Sequence, residues 1–221
     1  MKKVILSVLA LAAFGTANAQ EFKFGVKAGV NLANLKTDLV DDAKMKVGFN
    51  AGALGELMIT DKFGLQAELL YSMQGAKTED FEDYGFGETY RSEDKITLSY
   101  VNLPILAKYY IVKGFHVEAG PQLGILVSAK DKYETTETYE DFDGTLVTEK
   151  YSETEDIKDD LKGIDFSFNI GLGYDFTENF FAGARYNIGL TNIYDVNDFG
   201  LGFTSFDAKN NVLSINFGYK F

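Results

Sequence analysis

The sequence is poor in several residue types whose chemistry is distinctive. Its 221 residues include no cysteine, no tryptophan, two prolines and one histidine. Without cysteine, neither a disulfide framework nor thiol chemistry is available. Zinc-ligand spacings, glycine-rich phosphate loops and nucleotide fingerprints are also missing. These absences exclude the common cofactor classes, and we expect no cofactor, metal or catalytic residue.

Positive charge and long apolar runs are scarce too. The chain holds 33 acidic and 21 basic residues, a net charge of −12. We expect no nucleic-acid partner, because phosphate binding needs a basic face. Beyond the N-terminus no apolar run approaches the ~20 residues of a membrane-spanning helix. The chain is therefore either soluble after export, or it crosses a membrane as strands.

The first residues have the pattern of a secretory signal. Lys2 and Lys3 precede the apolar stretch Val4–Phe14, and Ala17-Asn18-Ala19 matches a small-x-small cleavage site. We predict a cleaved signal peptide over residues 1–19 and one domain over residues 20–221.

Alternation of apolar and polar residues fills most of the remaining chain. In FHVEAGPQLGILVSA, Phe115–Ala129, one face is continuously apolar and the other carries an acid, an amide and glycines. Eight such segments are predicted as strands: Phe22–Ala33, Val47–Ile59, Phe63–Gly75, Ile96–Tyr109, Phe115–Ala129, Ile164–Phe176, Phe180–Ile193 and Asn211–Phe221. A short turn of helix is compatible with the residues near Asp156 to Leu161.

The predicted connections alternate in length. Three are short, and the other four are long: Asn34–Lys46, Ala76–Lys95, Lys130–Gly163 and Tyr194–Asn210. In an up-and-down barrel all long loops then lie at one end, the pattern of outer-membrane barrels. Each strand also exceeds the ~9–11 residues that cross a bilayer. We therefore predict an all-β fold, an eight-stranded antiparallel up-and-down transmembrane β-barrel.

Glycine indicates which face points inward. Twelve strand glycines lie on the polar face and only Gly55 lies on the apolar face. Glycine weakens an exposed strand, whereas the narrow interior of eight strands needs small residues. The apolar face is thus predicted to meet lipid. The alternative, a soluble lipocalin-like binder, would turn that face inward.

The inward positions carry charges of both signs in equal number. A buried charge needs a partner, so these groups are predicted to neutralise one another. We predict a luminal charge network of Lys27, Glu56, Glu68, Lys108, Glu118 and Arg185. The functional interpretation is an ion path, and the structural one, which we favour, is a filled interior.

The only histidine and the C-terminus also bear on function. His116 follows a short turn, at the periplasmic end and far from external substrates, so a lining role is favoured over general-base catalysis. The chain ends LSINFGYKF, and Phe217, Tyr219 and Phe221 alternate on one face. This pattern is similar to the sorting signal read by the outer-membrane assembly machinery.

Nearly all the net negative charge falls in the predicted long loops, with Tyr and Phe interleaved. The loops are either a solvated, variable surface or a partner-binding surface with aromatic anchors. Asp141-Phe142-Asp143-Gly144 matches only a fragment of a calcium loop, and we predict no calcium site there. Divalent cations that bridge the acids to lipopolysaccharide phosphates are a further hypothesis.

Several stretches resemble the outer-membrane β-barrel domain family of Bacteroidota, the porin-family or PorT-like proteins. They are FKFGVKAGVNLANL, YVNLPILAKYY, VEAGPQLGILVSA, FNIGLGYDF, RYNIGLTNI and the closing strand. The fold is also similar to small OmpA- and OmpX-type barrels. The resemblance implies location in a Gram-negative outer membrane and implies little about activity.

The sequence favours a non-enzymatic structural or surface-interaction protein. The alternatives are a narrow porin-like channel for ions or small solutes and an accessory component of a secretion or assembly complex. The expected partners are outer-membrane lipid and lipopolysaccharide, and the assembly machinery during biogenesis. An extracellular or secretion-complex partner is left open.

Overall fold

The computed structural model describes residues 22–37, 44–85, 88–194 and 207–221. The strands are β1 Phe22–Thr37, β2 Lys44–Met58, β3 Phe63–Gly85, β4 Glu88–Val112, β5 Phe115–Glu140, β6 Leu146–Asp156, β7 Ile164–Asp175, β8 Phe180–Gly189 and β9 Ala208–Lys220. In this part of the chain no helix has the length and apolarity to cross a membrane. The predicted signal peptide, residues 1–19, lies outside the described residues.

Eight of these strands close into a ring. Each of β1 to β5 pairs antiparallel with the next, β5 pairs with β7, and β7, β8, β9 and β1 complete the circle. The remaining strand, β6, pairs only with β5 and lies outside the ring. Closure removes the edges that an open sheet would expose. The predicted eight-stranded antiparallel barrel is confirmed.

Two of the predicted loops are strands instead. Residues 76–85 continue β3 and residues 88–95 begin β4, while β5 extends to Glu140 and β6 covers 146–156. Their high charge suggested loops, but a strand with water on both faces can carry charge on both. The turn between β5 and β6 uses Gly144 at φ +84°. In this turn Asp143 Oδ1 accepts a hydrogen bond from Thr145 N at 2.9 Å, so this carboxylate stabilises the turn.

One predicted strand is shorter than expected. We predicted β8 to continue to Ile193, but it ends at Gly189. The chain then turns because Leu190 N donates to Phe166 O and Ile193 N donates to Ala208 O, both at 2.9 Å. The helical turn predicted near Asp156 to Leu161 is present as a 3-10 turn over Lys158–Asp160.

The two faces of the ring have the predicted polarity. On β3 the outward Leu69 is 53% exposed, whereas the inward Glu68 is buried. The twelve residue steps from Leu65 to Lys77 span roughly 40 Å along the strand, or roughly 30 Å across a membrane at a ~40° tilt. That length covers the ~25 Å apolar band of an outer-membrane barrel. Above this band β3 to β6 continue as a four-stranded sheet, which we call the protruding sheet (residues 77–85, 88–95, 130–140 and 146–156).

Candidate functional site

A cluster of four charged side chains lies at the centre of the barrel interior. Arg185 forms a two-pronged pair with Glu68, Nη1–Oε2 at 2.8 Å and Nη2–Oε1 at 2.9 Å. Lys27 Nζ reaches Glu68 Oε2 at 3.0 Å, and Arg185 Nε reaches Glu118 Oε1 at 2.7 Å. We call these residues the central charge cluster. It holds two cations and two anions, so charges of both signs are compensated where water is scarce.

A second group lies nearer the short turns. Glu56 accepts from Lys220 at 2.7 Å, from Lys108 at 3.2 Å and from the Tyr110 hydroxyl at 2.6 Å. Lys220 also pairs with Asp175 at 3.0 Å. Glu56 and Lys108, predicted as members of one network with Arg185, therefore belong to a separate cluster.

Glutamine joins the two clusters. Gln66 Nε2 donates to Glu68, and Gln66 Oε1 accepts from Lys108 Nζ at 3.1 Å. Sequence reasoning overlooked Gln66 and Tyr110. The inward parity of Gln66, two residues before Glu68, was an available signal, whereas the reach of Tyr110 into the interior depends on β4 continuing to Val112. The functional role of the network stays a prediction.

A layer of amides and hydroxyls fills the interior above the central charge cluster. Asn50 Nδ2 donates to Asn31 Oδ1 at 2.7 Å, and Asn187 Nδ2 donates to Ser167 Oγ at 2.7 Å. The cavity in this region has a volume of only about 30 Å³. This cavity has room for about one or two water molecules.

An apolar lid closes the external end of the interior. Leu35, Leu98 and Leu126 point inward from three strands and contact Leu161 and Ile193 from the connecting segments. Backbone bonds hold the segments together, with Lys162 N donating to Ile193 O at 2.8 Å. Sequence reasoning missed the lid, because isolated apolar residues in polar segments give no periodic signal.

His116 lies at the opposite end, as expected from its place in the chain. Its ring is buried against the Tyr110 ring, with centroids 5.0 Å apart, and a Cβ at Gly173 would approach His116 Nε2 to 2.5 Å. Glycine at 173 thus makes room for the imidazole. Nearby, a cup of about 410 Å³ opens toward the short turns and is lined by Glu56, Lys220 and others.

The protruding sheet has a different character. Residues 77–95 and 130–156 carry seventeen acidic and six basic side chains, a net charge of −11. Partial burial raises the pKa of Asp131 to about 6, and a hydrogen bond with Asp94 adds to the rise. Within the described residues, no group of three or more His, Cys, Asp or Glu side chains could hold a metal ion.

The C-terminal residues lie on the lipid-facing side. Phe217 and Phe221 are exposed, and the Tyr219 ring packs edge-on against Phe180 and Phe221, with centroids 4.9 and 5.2 Å apart. Aromatic side chains at this level resemble an interfacial girdle. A role of these three residues in sorting stays a prediction.

A closed antiparallel ring with an apolar outer face and a paired polar interior defines a small transmembrane β-barrel. The profile of the family described as "Outer membrane protein beta-barrel domain" matches residues 18–195. The chain belongs to this family and is an outer-membrane protein. The predicted location in the outer membrane is confirmed.

The chain is also similar to several solved structures of bacterial proteins. Ail of Yersinia pestis, solved with the heparin analogue sucrose octasulfate, shares 16% identity over 91% of this chain and 99% of that chain, with a TM-score of 0.43. Neisserial surface protein A shares 18% identity over 90% and 97%, with a TM-score of 0.46. OprG of Pseudomonas aeruginosa shares 15% identity over 91% and 97%, with a TM-score of 0.40. Comparison with curated proteins finds no match.

Proposed function

We propose that this protein is a non-enzymatic surface-interaction protein, in which a filled barrel anchors the protruding sheet outside the cell for a partner with a basic surface. The observation that carries the proposal is the net charge of −11 over residues 77–95 and 130–156, which include the protruding sheet that continues directly from the barrel wall. Charge of one sign on an exposed surface attracts partners of the opposite sign and speeds their association.

The outer strand of the sheet supports this proposal. β6 pairs with β5 over eleven consecutive residues, and among the residues that the structure describes no strand pairs with its other side. Proteins usually protect such an edge with proline, a bulge or lysine. β6 has no proline and a single lysine, Lys150, but it carries Glu149, Glu153 and Glu155. These acids oppose pairing between two copies and leave the edge open to a basic extended segment.

Aromatic side chains add possible anchors to the same surface. Phe81, Tyr84, Phe142 and Tyr151 are all more than half exposed. Exposed aromatics with acidic neighbours suit contacts that combine apolar burial with charge pairing.

Binding to a defined basic peptide tests the proposal. The full chain in phosphatidylcholine nanodiscs is titrated with a fluorescent twelve-residue peptide of alternating Lys and Thr, with a Glu–Thr peptide as the matched control. We expect binding of the Lys–Thr peptide alone, weakened by salt. Replacement of residues 133–153 by an Asn-Gly turn should abolish it while heat-dependent gel mobility still reports a folded barrel. Equal binding by the intact and shortened chains contradicts the proposal.

The runner-up is a narrow channel, for which the polar layer and central charge cluster are the supporting features. The lid and the cavity of about 30 Å³ favour a closed barrel instead. In planar bilayers we expect no discrete conductance steps from the wild type. If Glu68→Ala with Arg185→Ala opens such steps, the cluster acts as a gate. An accessory role in secretion rests on the sequence resemblance alone.

A further inference from the structure

Four lysines form a continuous row across the outer surface of the barrel. Lys44 on β2 is directly opposite Lys77 on β3, Lys77 is opposite Lys95 on β4, and Lys95 is opposite Lys132 on β5. We call these residues the lysine row. Directly opposed residues of antiparallel strands share one face of the sheet, so all four belong to the same face.

The row lies on the lipid-facing side, at the external boundary of the membrane. On β3, Lys77 has the parity of the outward residues Leu69 and Tyr71. The four side chains are 52, 30, 35 and 42% exposed in chain order. The row therefore lies at the level of the lipid headgroups, just above the apolar band.

Such an arrangement is unfavourable in the isolated protein. Like charges directly opposite each other across a strand pair destabilise a sheet, and the row contains three such pairs in succession. A further pair, Lys36 opposite Lys209, joins β1 to β9. In a chain with 33 acidic and 21 basic residues, this concentration of lysine at one level is not a consequence of composition.

Glutamates two residues farther along three of the strands offset part of the repulsion. Glu79 pairs with Lys77 at 2.6 Å and with Lys44 at 2.9 Å. Glu93 pairs with Lys95 at 2.6 Å, and Glu134 pairs with Lys132 at 2.8 Å. Three carboxylates thus neutralise the four ammonium groups only in part. On β3, β4 and β5 each carboxylate lies two residues farther from the apolar band than the lysine with which it pairs. The membrane side of the row is left for anions supplied from outside the chain.

We propose that the lysine row binds the phosphate groups of anionic lipids in the outer leaflet of the membrane. An ammonium group is a compact charge with three donors and suits phosphate oxygens. Basic clusters beside an apolar surface attract anionic headgroups. The lipid phosphates supply the countercharge that the row lacks. The row lies at the base of the protruding sheet and outside residues 133–153, whose removal tests the binding of a partner.

Thermal unfolding in two kinds of vesicle tests this proposal. The full chain and the variant K77Q/K95Q/K132Q are refolded into phosphatidylcholine vesicles, with or without diphosphoryl lipid A, in the presence of EDTA. The control variant K62Q/K113Q/K150Q removes the same charge away from the row. The midpoint is read from heat-dependent gel mobility, and bound lipid A is counted by native mass spectrometry.

The expected pattern differs between the two vesicles. In phosphatidylcholine the row variant unfolds at nearly the same temperature as the wild type, because the loss of repulsion between lysines is offset by the loss of their ion pairs with Glu79, Glu93 and Glu134. With lipid A the wild type and the control variant gain stability and the row variant does not. Its affinity for lipid A falls roughly a hundredfold, since each basic residue near an anionic surface contributes about fivefold.

Several results would overturn the proposal. One is the absence of any stabilisation of the wild type by lipid A, and another is an equal loss in both variants. Reproduction of the effect by inorganic phosphate in lipid-A-free vesicles would assign the row to free anions. Loss of the effect in EDTA that magnesium restores would assign lipid binding to cation bridges from the acidic residues.

Discussion

The strand β3 passes through two environments, and its sequence changes at the boundary between them. From Phe63 to Gln74 its outward residues are apolar and its inward acid, Glu68, is fully buried with two cationic partners. From Lys77 to Gly85 both faces are polar, and Glu79 pairs with two lysines while partly exposed. The same backbone pairing with β4 continues through both halves. The comparison shows that the pairing pattern is shared, whereas the energetic value of a charge depends on the solvent around it.

Removal of a buried acid gives the largest expected difference between the two regions. Glu68→Ala leaves Arg185 and Lys27 buried without their shared partner, which should lower the free energy of unfolding by about 3–5 kcal/mol. Glu79→Ala, on the same strand and also between two cations, should lower the free energy of unfolding far less, because water replaces the lost partner. Urea titration in lipid vesicles, followed by gel mobility, measures both. Equal losses would show that the barrel interior is as well hydrated as the sheet.

A charged substitution at an outward-facing position gives the second-largest expected difference between the two regions. The side chains of Leu69 and Phe81 both lie on the outward face of β3 and are 53 and 65% exposed, respectively. Leu69→Arg should cost about 2–4 kcal/mol because the residue faces lipid. Phe81→Arg should cost less than about 1 kcal/mol, because the residue faces water and the new charge only meets the opposite Arg91 across the strand pair. A small effect at position 69, measured by the same titration, would contradict the placement of the membrane around β3.

Replacement of a glycine in the barrel wall by alanine should have a smaller effect on stability. A Cβ at Gly120 would collide with the backbone oxygen of Ile105, whereas a Cβ at Gly163, beyond the barrel wall, meets nothing within 4 Å. Gly120→Ala should therefore cost about 1–3 kcal/mol through displacement of the backbone. Gly163→Ala serves as the control, and we expect it to leave the unfolding midpoint nearly unchanged. A harmless alanine at 120 would mean that the barrel wall adjusts more freely than its packing indicates.

The smallest expected effect concerns pH and the protruding sheet. The folded pKa of Asp131, about 6, is above its ordinary value of 3.8, so the folded state keeps a proton that the unfolded state releases first. Stability should then fall as the pH rises from 4 to 6. Asp131→Asn should raise the unfolding midpoint at pH 8 and leave it unchanged at pH 3. A variant that is equally stabilised at both values would show that Asp131 acts by some means other than its charge.

Much of the barrel could be predicted because its signals are local. The alternation in segments such as Phe115–Ala129 identified all eight wall strands, and the glycines identified the inward face. The protruding strands were missed, since charge on both faces removes the apolar–polar contrast from which a strand is recognised. The predicted β8 wrongly included residues 190–193 for the opposite reason, because alternation continued past the point where the chain turns inward.

The candidate sites were predictable only in part. Parity placed Glu68 and Arg185 inside the barrel, although 117 residues separate them. Parity could not show that Glu56 and Lys108 form a different cluster from Arg185, nor that four lysines on four strands form one row. Both facts depend on the register between strands, which involves residues distant in sequence.

The sequence by itself determined the number of strands in the barrel wall, the face that meets lipid, the membrane location and the sign of the external charge. These follow from composition and from the two-residue period of a strand, which each segment carries in its own residues. The tertiary structure alone decided how charges pair across the interior, what closes the external mouth and which lysines align at the membrane boundary. Ring closure and register set those distances, and they arise only when all eight strands pair at once.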